Sequence, residues 1–234
     1  MSDTQDTLEF DIAVVGMSCC LPKARSIEEF WENIQSGREC ISFFSEEELV
    51  EKGVNKNLLN NPSYVKAGAI VDDIEMFDAA FFGYSPREVQ VMDPQHRLFL
   101  ETCWNAWEDA GYTSENYNGL VGVFGSTTMN TYILNNLMSQ PSLMKSLGHL
   151  QMMVGNDKDF LTTRVSYELD LKGPSYAVQT ACSSSLTAIH VACNSLLNGE
   201  CEMAIAGGSS IRLPFGEGYM YFEGGTSSPD GHCH

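Results

Sequence analysis

A cysteine at position 182 stands where its thiol could act as a nucleophile. The residue pattern predicts a short strand over residues 175–178 and a helix over residues 186–197, so Cys182 falls at their junction. A thiol at the amino-terminal end of a helix faces unpaired backbone N–H groups and the positive end of the helix dipole, which favour the thiolate. Its neighbours Ala181 and Ser183 are small and leave room for a substrate. This pattern is typical of a cysteine that accepts an acyl group covalently.

The alternative interpretation is that Cys182 is an ordinary buried cysteine, because free cysteines are among the most buried residue types. Cys193 and Cys201 fit that description. A catalytic cysteine normally needs a base or a cationic partner, and the nearby sequence offers none. His190 lies roughly 12 Å further along the predicted helix, so it cannot reach the thiol and is predicted to pack on the helix.

The other histidines and cysteines do not form a recognisable site. His96 is predicted to cap or pack at a helix start, and His149 to lie in a loop. The terminal cluster at residues 232–234 (HCH) fits no common zinc motif, and no C-x-x-C pair occurs among the eight cysteines. We therefore predict no bound metal and no disulfides.

Composition excludes several classes of function. The chain of 234 residues is 43% hydrophobic and carries a formal net charge of −18, which disfavours nucleic acid or an anionic membrane as a partner. The acidic, polar start of the chain lacks the features of a secretory signal, and no apolar window of about 20 residues could span a membrane. The sequence therefore predicts a cytoplasmic protein.

Predicted strands alternate with predicted helices, which indicates an α/β layered fold. Residues 1–9 are predicted to form a flexible tail, and residues 45–75 mostly loop. Strands are predicted at residues 10–16, 120–125, 175–178 and 203–208. Helices are predicted at residues 26–36, from 85 and again from 94 to 110, at 156–169 and at 186–197. No charged residue occurs between Gly173 and Gly199, a pattern typical of a helix buried between layers.

Several motifs together resemble the ketosynthase domains of modular type I polyketide synthases. The stretch around the cysteine, TACSSSL at residues 180–186, is similar to the active-site motif of that family. The further matching stretches are DPQHR at 93–97 with Leu98 and Glu101, WEDAG at 107–111, FDAAFFG at 77–83, GNDKDF at 155–160, AGG at 206–208 and SPDG at 228–231. They occur in the family's order and extend over nearly the whole chain after residue 9.

The resemblance implies a thiolase-like layered fold (α/β/α/β/α) and a homodimer without a bound metal or redox cofactor. It implies that Cys182 holds the growing acyl chain as a thioester, and that acyl groups arrive on the phosphopantetheine arm of an acyl carrier protein. A malonyl-type extender then loses carbon dioxide, and its carbanion attacks the thioester in a decarboxylative Claisen condensation. The backbone N–H of Cys182 is a candidate donor to the oxyanion of the tetrahedral intermediates.

Residues 10–234 resemble only the amino-terminal half of such a domain, so we expect a chain truncated before the carboxy-terminal half. In the family, two histidines in downstream motifs stabilise the enolate. Neither His232 nor His234 stands in such a motif, so this chain alone is expected to be inactive in condensation. Gln179 occupies a position where many members carry Asp, a variation that other members share.

Two other functions remain open. The chain could be a non-catalytic half-domain that serves in dimerisation or partner binding, or Cys182 could be a redox-sensing thiol. Half of a layered domain would also leave apolar surface uncovered, so we expect a soluble chain only where a partner or a second copy covers it.

Overall fold

The computed structural model describes residues 11–114 and 116–233, which form two compact units. The larger unit comprises Glu75–Arg212 with the described part of Met1–Ser18, and the smaller unit comprises Cys19–Ile74 with the described part of Leu213–His234. The strands are β1 (Ile41–Phe43), β2 (Tyr64–Val65), β3 (Ala67–Ala69), β4 (Val121–Thr127), β5 (Ser175–Ala177), β6 (Met203–Ser209) and β7 (Tyr219–Met220).

The helices follow in the same numbering along the chain. They are α1 (Ile27–Gln35), α2 (Glu46–Glu51), α3 (Lys56–Leu59), α4 (Pro86–Val91), α5 (Pro94–Asp109), α6 (Pro141–Ser146), α7 (His149–Asn156), α8 (Phe160–Glu168) and α9 (Ser184–Leu197). A π-helical segment spans Ile133–Leu137, and a 3-10 turn spans Ala181–Ser183.

A parallel sheet of strand order β5-β4-β6 forms the centre of the larger unit. Every residue of β4 is buried, because β4 has a neighbour on each edge and helices on both faces. The register pairs Val121 with Met203 and Val123 with Ser175. Parallel pairing brings the carboxyl ends of all three strands to one edge, which is where ligands bind in open α/β sheets.

The two faces of the sheet carry separate apolar clusters. On one face, Val121 and Val123 pack with side chains of α5 and α8, including Trp107 and Leu161. On the other face, Phe124 packs with Ala188 and other residues of α9. This alternation follows from the two-residue period of a strand, and it produces three layers in the order helix, sheet, helix. The α/β layered prediction is confirmed.

Local signals explain where the helices of the larger unit begin. The Ser85 hydroxyl accepts from the Glu88 N–H, and the Glu88 carboxylate accepts from the Ser85 N–H at 2.8 Å, which completes a capping box before α4. Asp93 caps α5 through the Gln95 N–H, and Pro94 takes the first helical position. Gly111, at a φ of 78°, follows the end of α5, as predicted.

The smaller unit contains short elements and two antiparallel pairs, β1 with β3 and β2 with β7. Its apolar cluster consists of Leu49, Val54, Leu59 and Tyr64, with Phe44 and Met220 packed against them. The prediction of mostly loop for residues 45–75 was wrong in part, because four short elements form there. Each is two to six residues long, too short to give a clear periodic pattern.

The predicted strand at residues 10–16 was also wrong. Phe10 lies outside the described residues, and residues 11–16 have no regular structure. Ile12, Val14 and Val15 are 38%, 75% and 54% exposed. Among the described residues, the sheet ends at β6, and residues 11–16 pair with no strand. An apolar run without a neighbouring strand has no strand partner for its backbone groups, so it does not form a strand.

Other predicted elements are confirmed with shifted ends. The strands at 120–125, 175–178 and 203–208 correspond to β4, β5 and β6. The predicted helix at 156–169 is divided, since Asn156 ends α7 and α8 begins at Phe160. The uncharged helix begins two residues earlier than predicted and is buried on one face only, with Leu186 and Ile189 on its other face 74% and 46% exposed.

Candidate active site

A strained turn presents Cys182 between β5 and α9. Strand β5 ends at Ala177, the 3-10 turn Ala181–Ser183 follows, and α9 begins at Ser184. Ala181 has a φ of 55°, in the left-handed region that non-glycine residues rarely adopt. Such strain persists only where surrounding bonds hold it, and it is concentrated at functional sites. The Cys182 side chain that this turn presents is exposed.

Two serine hydroxyl groups hold the turn, one at the last residue of the 3-10 turn and one at the first residue of α9. The Ser184 Oγ accepts from the Thr180 N–H at 2.9 Å and donates to the Ala181 carbonyl oxygen at 2.8 Å. The Ser183 Oγ donates to the Thr180 carbonyl oxygen at 2.9 Å. These bonds satisfy backbone groups on both sides of Ala181 and so stabilise its unusual conformation.

Strand β6 approaches the start of α9 closely beside this turn. A Cβ added at Gly208 would lie 2.4 Å from the Ser126 Oγ and 2.9 Å from the Ser185 Oγ. Glycine at this position therefore lets the carboxyl ends of β4 and β6 lie against the first turn of α9.

Gln179 ties the segment before the cysteine to the end of β4. With its side-chain nitrogen placed to donate, it bonds the Thr127 carbonyl oxygen at 2.9 Å, and its oxygen accepts from the Thr127 N–H at 3.3 Å. An amide can make this reciprocal pair with a peptide group, whereas a carboxylate could only accept. The Gln found where many family members carry Asp thus has a structural role in this chain.

The predicted histidine positions are confirmed in part. His190 is exposed, with its Nε2 3.0 Å from the Asn194 Nδ2, so the prediction that it packs on the helix was wrong. His96 is buried in α5, as predicted for a packing residue. His149 begins α7, not a loop.

In the smaller unit the His232 Nδ1 lies 2.9 Å from the Glu39 Oε2, and this hydrogen bond raises the pKa of His232. Cys233 is exposed, and His234 lies outside the described residues. Among residues 11–114 and 116–233, no group of three or more His, Cys, Asp or Glu side chains could hold a metal ion. No helix in that part of the chain is long and apolar enough to cross a membrane.

The other cysteines of the larger unit are less accessible than Cys182. Burial raises the pKa of Cys103 and of Cys201, so both are held as thiols. Cys193 is half-buried on α9. Cys182 is thus the exposed cysteine of the larger unit within the described residues, and no disulfide forms among them.

Sequence reasoning missed the bonds that support the turn. Ser184, Thr180 and Gln95 carry hydrogen bonds that fix the carboxyl edge of the sheet, and none was predicted as a site residue. The run of hydroxyl residues at 183–185 was a usable signal, because such side chains bond nearby backbone groups. Gln95 lies in the DPQHR stretch, but no local signal points to its bonds with Thr128 and Ile211, which are far away in sequence.

The chain matches the family described as "Beta-ketoacyl synthase, N-terminal domain" over residues 9–234. It is 47% identical over 228 residues to a phenolphthiocerol/phthiocerol polyketide synthase of Mycobacterium tuberculosis, covering 95% of this chain and 15% of that protein. It is 41% identical to polyketide synthase PksM of Bacillus subtilis, covering 96% of this chain and 5% of that protein. The chain therefore spans a small part of these relatives.

The chain also resembles solved structures of ketosynthases. Ketosynthase twelve of the bacillaene polyketide synthase from Bacillus amyloliquefaciens superposes with a TM-score of 0.84 at 39% identity, over 94% of this chain and 38% of that one. The ketosynthase from module 1 of the bacillaene synthase of the same species gives a TM-score of 0.75 at 35% identity, over 97% and 38%.

Proposed function

Since the chain belongs to the β-ketoacyl synthase family and has the thiolase-like α/β fold of polyketide ketosynthases, we propose that Cys182 is its acyl-accepting nucleophile. The observation that carries this proposal is the exposed thiol on a strained turn ahead of α9, held by Ser183 and Ser184. A thiolate there gains from the unpaired N–H groups of the first helical turn.

The first step is transfer of an acyl group to the sulfur. The Cys182 thiolate attacks the carbonyl carbon of an incoming thioester, and its backbone N–H is our candidate donor to the oxyanion that forms. Collapse of the tetrahedral intermediate breaks the bond to the carrier sulfur, which leaves as a thiolate and takes up a proton. The acyl chain then remains on Cys182 as a thioester.

The second step is decarboxylative condensation. A malonyl-type extender on the phosphopantetheine arm of an acyl carrier protein loses carbon dioxide, and the electron pair left on its α-carbon attacks the Cys182 thioester. A carbon–carbon bond forms, the carbon–sulfur bond breaks, and Cys182 returns as a thiolate. No cofactor is consumed, because the lost carboxylate supplies the electron pair.

Condensation also needs donors to the enolate oxygen. The nearest histidine in sequence, His190, lies about 12 Å along α9 from the thiol by helical rise and bonds Asn194 instead. We propose that these donors lie on residues outside this chain, which spans 38% of the solved ketosynthase structure it resembles. The chain alone should accept an acyl group but form no β-ketoacyl product.

A partner-binding role is the second candidate, and the apolar outer face of α9 favours it. Leu186 and Ile189 are exposed on a helix without a charged residue. An apolar face of this kind is typical of an interface. We propose that a second copy of the chain covers this face, in keeping with the expected homodimer.

Alkylation under native conditions tests whether Cys182 is special. We expect iodoacetamide to modify Cys182 faster than Cys193, because Cys182 is exposed and lies at the start of α9 whereas Cys193 is half-buried within it. Time-resolved peptide mass spectrometry reads both sites in one sample. Cys182→Ala and Cys193→Ala are the matched variants that identify each signal. Equal rates at the two positions would contradict the proposal.

Activity assays separate the proposed acyl-accepting thiol from a redox-sensing thiol. Acyl-carrier protein and malonyl-carrier protein are mixed with the chain, and the products are examined by mass spectrometry. We expect acyl transfer to Cys182 without β-ketoacyl product. A β-ketoacyl product would contradict the proposed need for outside donors. A thiol that becomes reversibly sulfenylated by peroxide but takes no acyl group would instead support a redox sensor.

A further inference from the structure

Gln95 has no exposed surface, and its side-chain oxygen accepts hydrogen bonds from two distant segments. The Oε1 accepts from the Thr128 N–H at 3.1 Å and from the Thr128 Oγ1 at 2.7 Å. It also accepts from the Ile211 N–H at 3.3 Å. A buried amide oxygen that holds three donors is a structural junction, because removing it would leave the buried Ile211 N–H and the Thr128 N–H without their acceptor.

The other atoms of Gln95 fix the direction of this side chain. Its Nε2 donates to the Asp93 Oδ2 at 3.1 Å, while the Asp93 Oδ1 accepts from the Gln95 N–H at 2.9 Å. The Gln95 carbonyl oxygen accepts from the Ser209 Oγ at 2.9 Å. Burial raises the pKa of Asp93, and its bonds to Gln95 partly offset that rise. The amide is therefore anchored to α5 at one end and to the strand ends at the other.

The partners of the Gln95 amide oxygen follow the carboxyl ends of two neighbouring strands. Thr128 directly follows β4, and Ile211 lies two residues after the end of β6. The last ladder pair between the two strands is Thr127 with Ser209. Beyond that pair no ladder bond joins the two segments, and the side chain of Gln95 bridges them instead.

The carboxyl edge of the sheet is also bonded to the segment that precedes Cys182. Thr127, next to Thr128, pairs through both backbone groups with the Gln179 side chain. Gln179 precedes Cys182 by three residues, across the strained Ala181. A shift of Thr128 would move Thr127 and hence Gln179, and the turn that aims the thiol would move with them.

We propose that Gln95 is a positioning residue for Cys182, which acts by holding the carboxyl ends of β4 and β6 in the arrangement that supports the cysteine turn. The inference rests on the proposed function of Cys182 as a nucleophile. Gln95 does not touch the thiol, and its effect passes through Thr128, Thr127 and Gln179.

The test compares Cys182 alkylation in the unchanged chain and in Gln95→Met. Methionine is similar in length, but its thioether sulfur is only a weak acceptor and does not replace the amide oxygen that holds Thr128 and Ile211. We expect the iodoacetamide rate at Cys182 at pH 7 to fall about five-fold, the size of a weakened interaction between a thiolate and a helix N-terminus. The pH profile of the rate, measured from pH 6 to 9 by peptide mass spectrometry, should also move.

Asn33→Leu is the matched control, because Asn33 is a buried amide of the smaller unit that bonds the Lys23 carbonyl oxygen at 2.8 Å. It should lower the melting temperature as Gln95→Met does and leave Cys182 alkylation unchanged. A purely structural role for Gln95 predicts this same pattern for both variants. Lower melting temperature with an unaltered rate and pH profile in folded Gln95→Met would overturn the inference.

A second, milder substitution keeps the proposal testable if Gln95→Met does not fold. Thr128→Val removes only the Oγ1 donor to Gln95, at an exposed position, and should give a smaller fall in the Cys182 rate. An unchanged rate in a folded Thr128→Val variant would count against the inference if Gln95→Met does not fold. Equal alkylation of Cys182 and Cys193 in the unchanged chain would instead refute the proposed nucleophile.

Discussion

At the scale of single residues, the buried imidazole of His96 links the stability of the fold to pH. His96 is 1% exposed, and neither ring nitrogen has a hydrogen-bond partner among the described residues. Burial, with a smaller effect of the Arg164 charge, lowers its pKa to about 3. The unfolded chain binds a proton at His96 below about pH 6.5, whereas the folded chain does not until about pH 3. Stability is therefore lost as the pH falls from about 6.5 toward 3.

His96→Gln should remove this pH dependence, because glutamine does not titrate. By proton linkage, His96 lowers the free energy of unfolding by about 2 kcal/mol between pH 8 and pH 5. Urea unfolding at both pH values measures the loss in each protein, and the exposed His190→Gln is the control. The free energy of unfolding should fall less between pH 8 and pH 5 in His96→Gln than in the unchanged chain. An equal fall in the two proteins would contradict a neutral, buried His96.

Single residues also show how far the sequence could predict the site. Cys182 could be proposed as a candidate nucleophile, because its signals are local (a strand, small neighbours and a helix start) and the motif around it resembles that of a known family. Gln95 could not be identified, because its partners Thr128 and Ile211 lie 33 and 116 residues away. Ala181 could not be identified as strained, since alanine carries no preference for a positive φ.

At the scale of elements, the segment that leads into β5 lies in close backbone contact with β4. The Gly173 N–H donates to the Val121 carbonyl oxygen at 2.9 Å just before β5. A Cβ added at Gly173 would lie 2.5 Å from the Val121 carbonyl carbon, 2.6 Å from its oxygen and 2.7 Å from the Gly122 nitrogen. These are backbone atoms of the central strand, which cannot move without disturbing the sheet.

Gly173→Ala should therefore destabilise the chain by about 2 kcal/mol, a cost typical of overpacking in a filled interior. Gly207→Ala is the matched control in the same sheet, because its added Cβ would meet only the Phe99 ring at 3.8 Å. Chemical unfolding of both variants gives the comparison. Equal free energies of unfolding for Gly173→Ala and Gly207→Ala would show that β5 can move away from β4 freely.

The elements also show why sequence prediction failed in places. The strands β4, β5 and β6 were predicted from their apolar pattern, and the prediction was correct because each also lies beside another strand in the sheet. Residues 11–16 have a similar apolar pattern, but none of the described strands pairs with them. A strand depends on a neighbour that its own residues do not specify. The short helices at Glu46–Glu51 and Lys56–Leu59 depend on their caps, Ser45 and Asn55, more than on periodicity.

At the scale of the whole molecule, the uncharged helix α9 carries an apolar outer face opposite its packed one. Ala188 and Ala192 pack toward β4 and β6, whereas Leu186 is 74% exposed. The absence of charge between Gly173 and Gly199 indicated a covered helix, and the described chain covers one face of it. Covering the other face would remove apolar surface from water and favour association.

We expect the chain to self-associate through this face. Leu186→Lys should shift sedimentation velocity profiles toward the monomer, because burying an unpaired ammonium in an apolar contact is costly. Tyr167→Lys is the control, since Tyr167 is comparably exposed on α8, which lies on the opposite face of the sheet. A stable, monodisperse monomer of the unchanged chain would contradict the proposed homodimer.

Acyl loading of Cys182 is the most direct test of the proposed function. The folded chain is incubated with an acyl thioester of pantetheine, and the modified residue is located by intact-mass and peptide mass spectrometry. We predict one acyl group on Cys182, no loading in Cys182→Ala and unchanged loading in Cys193→Ala. Acylation spread over several cysteines, or persisting in folded Cys182→Ala, would contradict the assignment of Cys182 as the acyl-accepting nucleophile.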